Sequence, residues 1–453
     1  MSQVNVTIES LDNEGRGIAR VEGKAVFVQG ALPGECVDIE TIRRKPSYEI
    51  ARTLRIHRAS ASRTTPACPH FGVCGGCSLQ HADIALQVAA KQRVLEEAFV
   101  RIGKLRPDMI LPALYGPEWN YRHRARLSVR HVPRKGGVLV GFHERGSSYV
   151  ADMLSCHVLP QVISRLLPAL RGLVESLSIR DRVPQIELAV GERPLARSAV
   201  RVGAGVERAP VHVLVFRILE PLTDEDAARV REFADTHGVD IWLQTGGPAT
   251  AAPFHPMGSE VVYTLPEFDV EIPFGPTEFT QVNPAINRVL VRRAMALLDV
   301  RPGDRVVDFF CGLGNFTLPI ARLGASVIGV EGAQGLVERA RATAAHNGLA
   351  DRASFLVANL FVATPDSLAA LLPITRALID PPREGAMELA KSLPVRDSAQ
   401  GLERIVYVSC NPATLARDAA VLVNERGYRL DAAGVVNMFP HTAHVESIAQ
   451  FSR

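Results

Sequence analysis

No stretch of this 453-residue sequence is apolar over a length that could span a bilayer. The N-terminus also lacks the basic and apolar regions of a secretory signal peptide, so we expect a cytoplasmic protein. Internal repeats and low-complexity segments are absent as well. The apolar fraction of 47% and the charged fraction of 22% are typical of a soluble globular protein, and the length allows roughly two to four domains.

The sequence has little excess charge of either sign, since its net charge is only +3. The whole chain is therefore not an obvious polyanion binder. The distribution of charge says more, because residues 43–63 contain seven Lys or Arg and one acid, and residues 119–143 contain six and no acid. In the second run Trp119 and Tyr121 alternate with arginines, a pattern that fits either nucleic-acid binding or a solvated basic face.

Seven cysteines in an expected cytoplasmic protein are more readily metal ligands, nucleophiles or core residues than disulfides. Cys68, Cys74 and Cys77 form a C-x5-C-x2-C pattern, and Cys156 follows 79 residues later. Four thiolates suit an iron–sulfur cluster or an all-cysteine zinc site. Zinc sites usually consist of two short C-x2-C pairs, so the three-plus-one spacing favours a [4Fe-4S] cluster.

Three segments differ in their predicted secondary structure. Residues 1–58 contain short strand-like runs separated by Gly-containing turns, which predicts a small OB-like β-barrel. Residues 59–268 contain the cysteine cluster and a mixture of helical and strand-like patterns, which predicts a central α+β domain. Residues 269–453 alternate β and α patterns, which predicts a C-terminal Rossmann-like α/β domain.

The C-terminal segment contains the pattern of a nucleotide-cofactor crevice. A strand that includes Asp308 leads into a Gly-rich turn at 311–317, and Glu331 ends the next strand, 23 residues after Asp308. Glycines allow the backbone to approach a ligand, and an acid in this position can bind ribose hydroxyls. A Gly-x-Gly turn by itself fits cofactors of several kinds.

A lone cysteine, Cys410, ends an apolar strand and precedes Asn-Pro. In open α/β sheets, reacting groups lie at the carboxyl ends of strands, so Cys410 is a candidate nucleophile, although a buried cysteine can equally be a core residue. Glu446 precedes the last strand and could face Cys410, although it could also be a surface carboxylate.

Several separate blocks together resemble the RNA uracil-C5 methyltransferase family. They are residues 279–283, residues 308–317, Asp-Pro-Pro-Arg at 380–383, Ser-Cys-Asn-Pro at 409–412 and His-Thr-Ala-His-Val-Glu at 441–446. Residues 12–20 and 33–35 in the barrel resemble a TRAM domain, an RNA-binding fold. With that barrel and the cysteine cluster, the chain resembles the branch of the family that methylates 23S ribosomal RNA.

The resemblance implies a role for each candidate residue. Cys410 is the nucleophile and Glu446 the base, and a set of six residues lines the S-adenosylmethionine site: Gln281, Phe310, Asn315, Glu331, Asn359 and Asp380. The expected chemistry is addition of the thiolate to C6 of a uracil, methylation at C5 and removal of the C5 proton. Alternatives are the same reaction on another 23S or transfer-RNA uridine, and a non-enzymatic iron–sulfur RNA-binding factor.

Overall fold

The computed structural model describes residues 4–194 and 208–453, which form three β-sheets. The strands of the first sheet are β1 (Val4–Thr7), β2 (Ser10–Leu11), β3 (Gly17–Val21), β4 (Lys24–Gln29), β5 (Cys36–Arg44) and β6 (Tyr48–Arg58). Their order is β1-β5-β6-β4-β3-β2. Alternate side chains, among them Val26, Val37 and Ala51, form one apolar cluster, as the two-residue period of a half-buried strand predicts.

A connecting segment with a long helix follows the first sheet. It contains α1 (Ile84–Ala98), a π-helical turn at Phe99–Gly103 and the short strand β7 (Met109–Ile110). Asp83 is the N-cap residue of α1, because its side chain accepts a hydrogen bond from the Leu86 N–H. The buried face of this helix includes two polar side chains, Gln87 and Lys91.

The central sheet is mostly antiparallel and has two helices. Its strands are β8 (Arg124–Val132), β9 (Gly137–Gly141), β10 (Gln185–Glu192), β11 (Pro210–Arg217), β12 (Asp240–Gln244), β13 (Ala251–His255), β14 (Val262–Leu265) and β15 (Val270–Pro273). The order is β13-β12-β11-β10-β14-β15, and β8 pairs with both β10 and β9. The helices α2 (Gln161–Ser176) and α3 (Asp224–His237) share one apolar core with this sheet.

The C-terminal sheet has a parallel half and an antiparallel half. Its strands are β16 (Arg305–Phe309), β17 (Ser326–Glu331), β18 (Ala353–Val357), β19 (Arg376–Ile379), β20 (Arg404–Ser409), β21 (Arg429–Val436) and β22 (Glu446–Ser452). Its helices are α4 (Pro284–Leu298), α5 (Thr317–Arg322), α6 (Gln334–His346), α7 (Pro365–Ala369), α8 (Met387–Ser392) and α9 (Pro412–Asn424). The order is β18-β17-β16-β19-β20-β22-β21-β7, with β18 to β20 parallel and β22 antiparallel to both of its neighbours.

Two features of this sheet position the site. The strand order reverses at β16, since the chain continues to β17 on one side and returns to β19 on the other, and ligands bind at such a switch point. Moreover, β7 joins the sheet beside β21, and α1 packs on α9. Pieces of the segment that we assigned to the central domain therefore contact the C-terminal sheet, and the division at 58/59 and 268/269 stays a prediction.

Within the residues that the structure describes, no helix is both long and apolar enough to cross a membrane.

Candidate active site

The carboxyl ends of five adjacent parallel strands lie at one edge of the C-terminal sheet, and a predicted site residue lies at each of them. Phe310 follows β16, Glu331 ends β17, Asn359 follows β18, Asp380 follows β19 and Cys410 follows β20. Because neighbouring parallel strands end side by side, the fold brings together residues that are far apart in sequence. These five predicted residues therefore share one edge.

The turn after β16 has an unusual backbone. Phe310 has a φ of 64° and lies in the left-handed region, and Gly312 and Gly314 have φ values of 54° and 96°. The Phe310 and Cys311 N–H groups both donate to the carbonyl of Val330 on β17, at 2.8 and 3.1 Å. A non-glycine residue held in this region is typical of a functional site, because surrounding contacts must stabilise it.

Two carboxyl groups lie near the carboxyl ends of the neighbouring strands β16 and β19: Asp308 is fully buried and Asp380 is partly buried. Burial raises the pKa of Asp308 to about 7, an effect that the charges of Asp380 and Glu331 reinforce. Burial likewise raises the pKa of Asp380 to about 7. One oxygen of Asp308 accepts a hydrogen bond from the Thr317 hydroxyl at 2.5 Å, and the other has no partner within the described part of the chain. An unpartnered carboxyl oxygen in a buried acidic crevice suits a cationic ligand.

Both carboxylate oxygens of Glu331 accept hydrogen bonds from backbone N–H groups of neighbouring turns. One carboxylate oxygen accepts from the N–H groups of Gly332 and Ala333 at 2.7 and 3.2 Å, and the other accepts from Gly312 N–H at 3.2 Å. Asn359 is exposed, and its side chain accepts from the Phe361 N–H at 3.0 Å. Glu331 therefore contacts the Gly-rich turn directly, and Asn359 lies on the surface after β18.

The helix α4 brings a further part of the chain to the same edge. Asn315 and Asn287 exchange two hydrogen bonds, at 2.9 and 3.1 Å, and the Tyr263 hydroxyl donates to Asn315 at 3.3 Å. Gln281 lies just before Asn283, which begins α4 by accepting from the Ile286 N–H at 3.2 Å. The contact between α4 and Asn315 thus joins α4, which begins two residues after Gln281 at Asn283, to the Gly-rich turn.

The pairing of β20 with β22 brings Cys410 and Glu446 together. Ser409 and Ser447 are the last residues opposite each other in this antiparallel pair, and Cys410 and Glu446 are the residues next to them. The charge of Glu446 also acts on the Cys410 thiol, so the two side chains are near each other. Residues directly opposite in an antiparallel pair point to the same face. The predicted nucleophile and the predicted base are consequently neighbours at the edge where the cofactor crevice lies.

Charge and burial act against ionisation at both positions. Burial raises the pKa of the Cys410 thiol to about 11, with further contributions from Glu446 and Asp380, whereas the cation of Arg383 acts in the opposite direction. Burial and the nearby Asp380 also raise the pKa of Glu446, and Arg383 and Lys91 oppose that increase. A strongly perturbed thiol and carboxyl in one crevice indicate a catalytic site.

The turn that carries Cys410 is held by a set of short-range hydrogen bonds. Asn411 begins α9 by accepting from the Ala413 N–H, and its amide nitrogen donates to the Arg383 carbonyl at 3.1 Å. Thr414 donates to the same carbonyl at 3.3 Å, and the Asn411 N–H donates to the Ser409 hydroxyl. The loop after β19 and the nucleophile turn are therefore one connected unit.

The loop that leads into Glu446 is held by the segment around α1. The Lys91 ammonium donates to Asn437 Oδ1 at 2.6 Å and to the Phe439 carbonyl at 2.8 Å. Gln87 accepts from the His441 N–H at 2.7 Å, and the Ser78 and Leu79 N–H groups both donate to the His441 carbonyl. Trp119 stacks on His441 with ring centroids 3.9 Å apart. Sequence patterns gave no indication of these contacts, because they join residues more than three hundred positions apart.

The four predicted metal ligands line one cavity of about 210 Å³. Cys74 and Cys156 are buried, and Cys68 and Cys77 are partly exposed. Burial, reinforced by the charges of the neighbouring cysteines, raises the pKa of Cys77 to about 11 and that of Cys156 to about 12. The C-x5-C-x2-C segment and the distant Cys156 are thus neighbours in space, as we predicted from their spacing.

Among the residues that the structure describes, no group of three or more His, Cys, Asp or Glu side chains is arranged to hold a metal ion. The predicted [4Fe-4S] site therefore has only the shared cavity as structural support. Two residues of the loop before Glu446, Thr442 and His444, line the same cavity. The cysteine-lined cavity and the candidate active site are consequently adjacent.

Comparison with protein families and known proteins identifies the chain. The family model described as TRAM domain matches residues 2–53, and the model described as tRNA (Uracil-5-)-methyltransferase matches residues 269–357 and 371–453. A protein of Aromatoleum aromaticum named 23S rRNA (uracil(1939)-C(5))-methyltransferase RlmD is 59% identical over 98% of this chain and 99% of its own length. Its namesake from Azoarcus sp. is 60% identical with the same coverage.

This chain belongs to the RlmD family. The family assignment confirms the resemblance that we inferred from the motifs, and it confirms the N-terminal TRAM domain. Among solved structures, the Pyrococcus abyssi tRNA (uracil-54, C5)-methyltransferase in complex with S-adenosyl-L-homocysteine matches 99% of this chain and 100% of its own, with a TM-score of 0.72. At 23% identity this match shows that the fold is shared.

The geometry adds residues to this RlmD-family site that the motifs did not indicate. Asn287 and Tyr263 hold Asn315, and Lys91 holds the loop before Glu446. For Lys91 the sequence does contain a signal, since it falls on the buried face of α1 together with Gln87 and Leu95. Polar residues that recur at a four-residue spacing on an apolar helix face indicate a buried polar contact.

Proposed function

We propose that this chain transfers a methyl group from S-adenosylmethionine to C5 of the uridine at position 1939 of 23S ribosomal RNA. The observation that carries the proposal is the pairing of β20 with β22, which ends at Ser409 and Ser447 and so brings the adjacent residues Cys410 and Glu446 close enough to interact electrostatically. A thiol and a carboxylate around one pyrimidine are the groups that methylation at C5 requires. The names of relatives more than 55% identical over nearly the whole chain support the substrate.

The crevice at the switch point is the proposed binding site of S-adenosylmethionine. When bound, this cofactor supplies a methyl group on a positively charged sulfur. The carboxyl groups of Asp308 and Asp380 make the crevice attractive to a cation, and Glu331 offers oxygens for ribose hydroxyls. The unpartnered oxygen of Asp308 shows that the crevice still has acceptor capacity, so these residues fit the cofactor.

The proposed reaction begins at Cys410. After loss of its proton, Cys410 Sγ forms a bond to C6 of the uracil, and the electrons of the C5–C6 double bond move towards O4. C5 then attacks the activated methyl group, and the methyl–sulfur bond breaks to leave S-adenosylhomocysteine. The cation of Arg383 favours the Cys410 thiolate, while Glu446 and Asp380 oppose it. We therefore expect the addition step to become faster as pH rises.

Glu446 completes the proposed reaction. Its carboxylate removes the proton from C5, the C5–C6 double bond forms again, and the C6–sulfur bond breaks to regenerate the thiolate. The base must be ionised for this step. Within the described residues the Glu446 carboxylate accepts no hydrogen bond and forms no ion pair, so its oxygens are free to reach a proton on the substrate.

The RNA must present a single uridine to this crevice. A uracil inside a helix is stacked and cannot contact Cys410, so we infer that the target base leaves its stack, as in other enzymes that modify bases. The TRAM domain and the basic residues of β6 provide a second RNA-binding surface, because Arg52, Arg55 and Arg58 are exposed there. A ribosomal-RNA substrate in turn supports the cytoplasmic location that we expect.

We also propose that the cysteine-lined cavity holds a [4Fe-4S] cluster. Four thiols that line one cavity form an all-sulfur donor set, and their mutual repulsion would be relieved by a bound cation. A single ion requires all four sulfurs within about 2.3 Å of one point, whereas a cluster is wider and needs a larger cavity. Cys68, Cys74, Cys77 and Cys156 would be its ligands, and with four protein ligands its role would be structural.

The decisive experiment for the methylation is transfer of a labelled methyl group to a 23S RNA fragment, with mapping of the product by mass spectrometry. We expect 5-methyluridine at position 1939. Cys410→Ala should lose activity completely and still bind S-adenosylhomocysteine, because Cys410 is not part of the cofactor crevice. Label at an exocyclic nitrogen, on another base, or full activity of Cys410→Ala would contradict the proposal.

A further inference from the structure

Lys91 is buried in the middle of α1 and is not used by the mechanism above. Its side chain is 2% exposed, and its ammonium donates to Asn437 Oδ1 at 2.6 Å and to the Phe439 carbonyl at 2.8 Å. Both acceptors belong to the loop that connects β21 to Glu446. Burial of an ammonium is costly and occurs in proteins chiefly where the charge has a partner or a function.

The carboxyl group that acts electrostatically on Lys91 is that of Glu446. No carboxylate oxygen of the described residues lies within 4.0 Å of its ammonium, so the buried charge is not neutralised by a direct ion pair. Burial lowers the pKa of Lys91, and the charge of Glu446 acts in the opposite direction. The other titratable groups that face Lys91 are His441 and His444, and burial lowers the pKa of both.

Glu446 in turn is surrounded by groups of both signs. Burial and Asp380 disfavour its charge, and Arg383 and Lys91 favour it. Arg383 is shared, because its charge also acts on Cys410 and its guanidinium lies 3.3 Å from His444 Nδ1. The charge of Lys91 acts on His441 and His444 as well, where it helps to lower the pKa of each ring.

We propose that Lys91 is a positioning residue for the general base: its ammonium holds the loop that leads into Glu446, and its positive charge favours the ionised form of the Glu446 carboxylate. This inference rests on the role of Glu446 given under Proposed function. It assigns to a residue of the segment before the central sheet a part in the last step of the reaction, the removal of the C5 proton.

The sign of the effect follows from the charges. Glu446 removes a proton only when ionised, so the rate of this step rises with pH through the Glu446 pKa. Loss of a nearby positive charge raises that pKa further. The rising limb of the rate then moves to higher pH, and the rate at any pH below the limb falls. At high pH Glu446 is ionised with or without Lys91, and the two profiles converge.

The test compares single-turnover pH profiles of the full-length protein with those of Lys91→Met and Lys91→Gln. Methionine fills the same space without charge, and glutamine keeps an N–H donor for the loop. We expect both variants to shift the rising limb to higher pH, and we expect the covalent protein–RNA species to accumulate below the limb. Lys91→Arg retains a charge and should keep the limb at its original pH. Arg93→Met removes an exposed cation from the same helix, and it should change neither the pH of the rising limb nor the amount of the covalent species.

Each outcome decides one question. A uniform loss of rate at all pH values in Lys91→Met and Lys91→Gln, without accumulation of the covalent species, would overturn the proposal in favour of a purely structural role. Should both neutral variants fail to fold, a shifted limb in a folded Lys91→Arg variant would overturn it as well. If Glu446→Gln itself does not accumulate the covalent species, the assignment of the base is wrong, which is a separate failure.

Discussion

At the scale of single residues, the proposed chemistry depends on carboxyl groups whose pKa is raised by burial in the folded protein. Asp308 and Asp380 share the proposed cofactor crevice, and burial raises the pKa of each to about 7. Such groups stay partly protonated near neutral pH until a cation binds. The affinity of the crevice for a ligand therefore depends on the charge of the ligand as well as on its shape.

This response predicts a difference between two ligands of nearly equal shape. Binding of S-adenosylmethionine, a cation, must displace the protons of Asp308 and Asp380, so its affinity should fall as pH falls below about 7. S-adenosylhomocysteine has a neutral sulfur and should depend less on pH. Calorimetric titrations at about pH 6 and about pH 8 should show the preference for the cation rising about tenfold or more. Equal pH dependence of the two dissociation constants would contradict the role of these carboxyl groups.

The base makes a second prediction at this scale. Glu446→Gln leaves the thiol and the crevice intact, so addition and methyl transfer can occur but the C5 proton cannot leave. We expect turnover to fall by about 10²–10⁴-fold and a methylated protein–RNA adduct to accumulate, visible as a shifted band in a denaturing gel. The double variant with Cys410→Ala should show no adduct. Normal product release by Glu446→Gln would assign proton removal to another group.

At the scale of elements, the pairing of β20 with β22 and the packing of α9 hold the nucleophile in place. Tyr407 on β20 donates its hydroxyl to Asp418 on α9 at 2.7 Å. The same Asp418 oxygen accepts from the Ala386 N–H at 2.6 Å, and the other oxygen pairs with Arg417. Asp418 is fully buried, so it links β20, α9 and the loop after Asp380.

This buried carboxylate predicts unequal costs for two substitutions. Tyr407→Phe removes one hydrogen bond and leaves Asp418 with its other partners, so it should lower the free energy of unfolding by about 1 kcal/mol. Asp418→Ala leaves the Tyr407 hydroxyl and the Ala386 N–H buried without an acceptor and should cost about 3–5 kcal/mol. Urea denaturation of both variants measures the difference. Equal costs would mean that Asp418 is not the shared acceptor.

The same elements show what the sequence could predict. The ends of the five parallel strands are local features, because an apolar run followed by Gly, Pro or a polar residue indicates where a strand ends. Phe310, Glu331, Asn359, Asp380 and Cys410 were therefore predictable in position, and the parallel order brings them together. The motifs likewise predicted the family, since they were specific and lay in the expected order.

Long-range contacts could not be predicted in this way. Two examples are the contacts of Lys91 with Asn437 and of Trp119 with His441. The residues of each pair lie in different segments, and the sequence around one residue does not indicate the other. The pairing of β7 with β21 could not be predicted either, because a two-residue strand is too short to show an alternation of apolar and polar residues. Tertiary packing determines such contacts, and sequence patterns report only on local structure.

At the scale of the whole molecule, the cysteine-lined cavity and the catalytic loop are in direct contact. Thr442 and His444 line the cavity, and the Ser78 N–H, next to Cys77, donates to the His441 carbonyl at 2.9 Å. The cofactor crevice lies on the parallel half of the sheet and contributes no residue to this cavity. We therefore expect a structural change at the cysteines to alter the position of Glu446 more than it alters binding of the cofactor.

This arrangement predicts the effect of losing the proposed cluster. Cys156→Ser should lower the iron content from about four atoms per chain and slow methylation, while the dissociation constant of S-adenosylhomocysteine stays unchanged. Cys36→Ser is the matched control, because Cys36 is in β5 and outside the cavity. Full iron content in Cys156→Ser, or stoichiometric zinc in the unmodified protein, would contradict the cluster.

The most direct test of the central claim is mass spectrometry of the protein after reaction with a 23S RNA fragment that carries 5-fluorouridine at the target position. Fluorine on C5 cannot leave as a proton does, so the reaction should stop after methyl transfer with the RNA attached to the protein. We expect a cofactor-dependent adduct whose bond joins C6 of the base to Cys410 Sγ. Absence of any adduct, or attachment through a different side chain, would contradict the account.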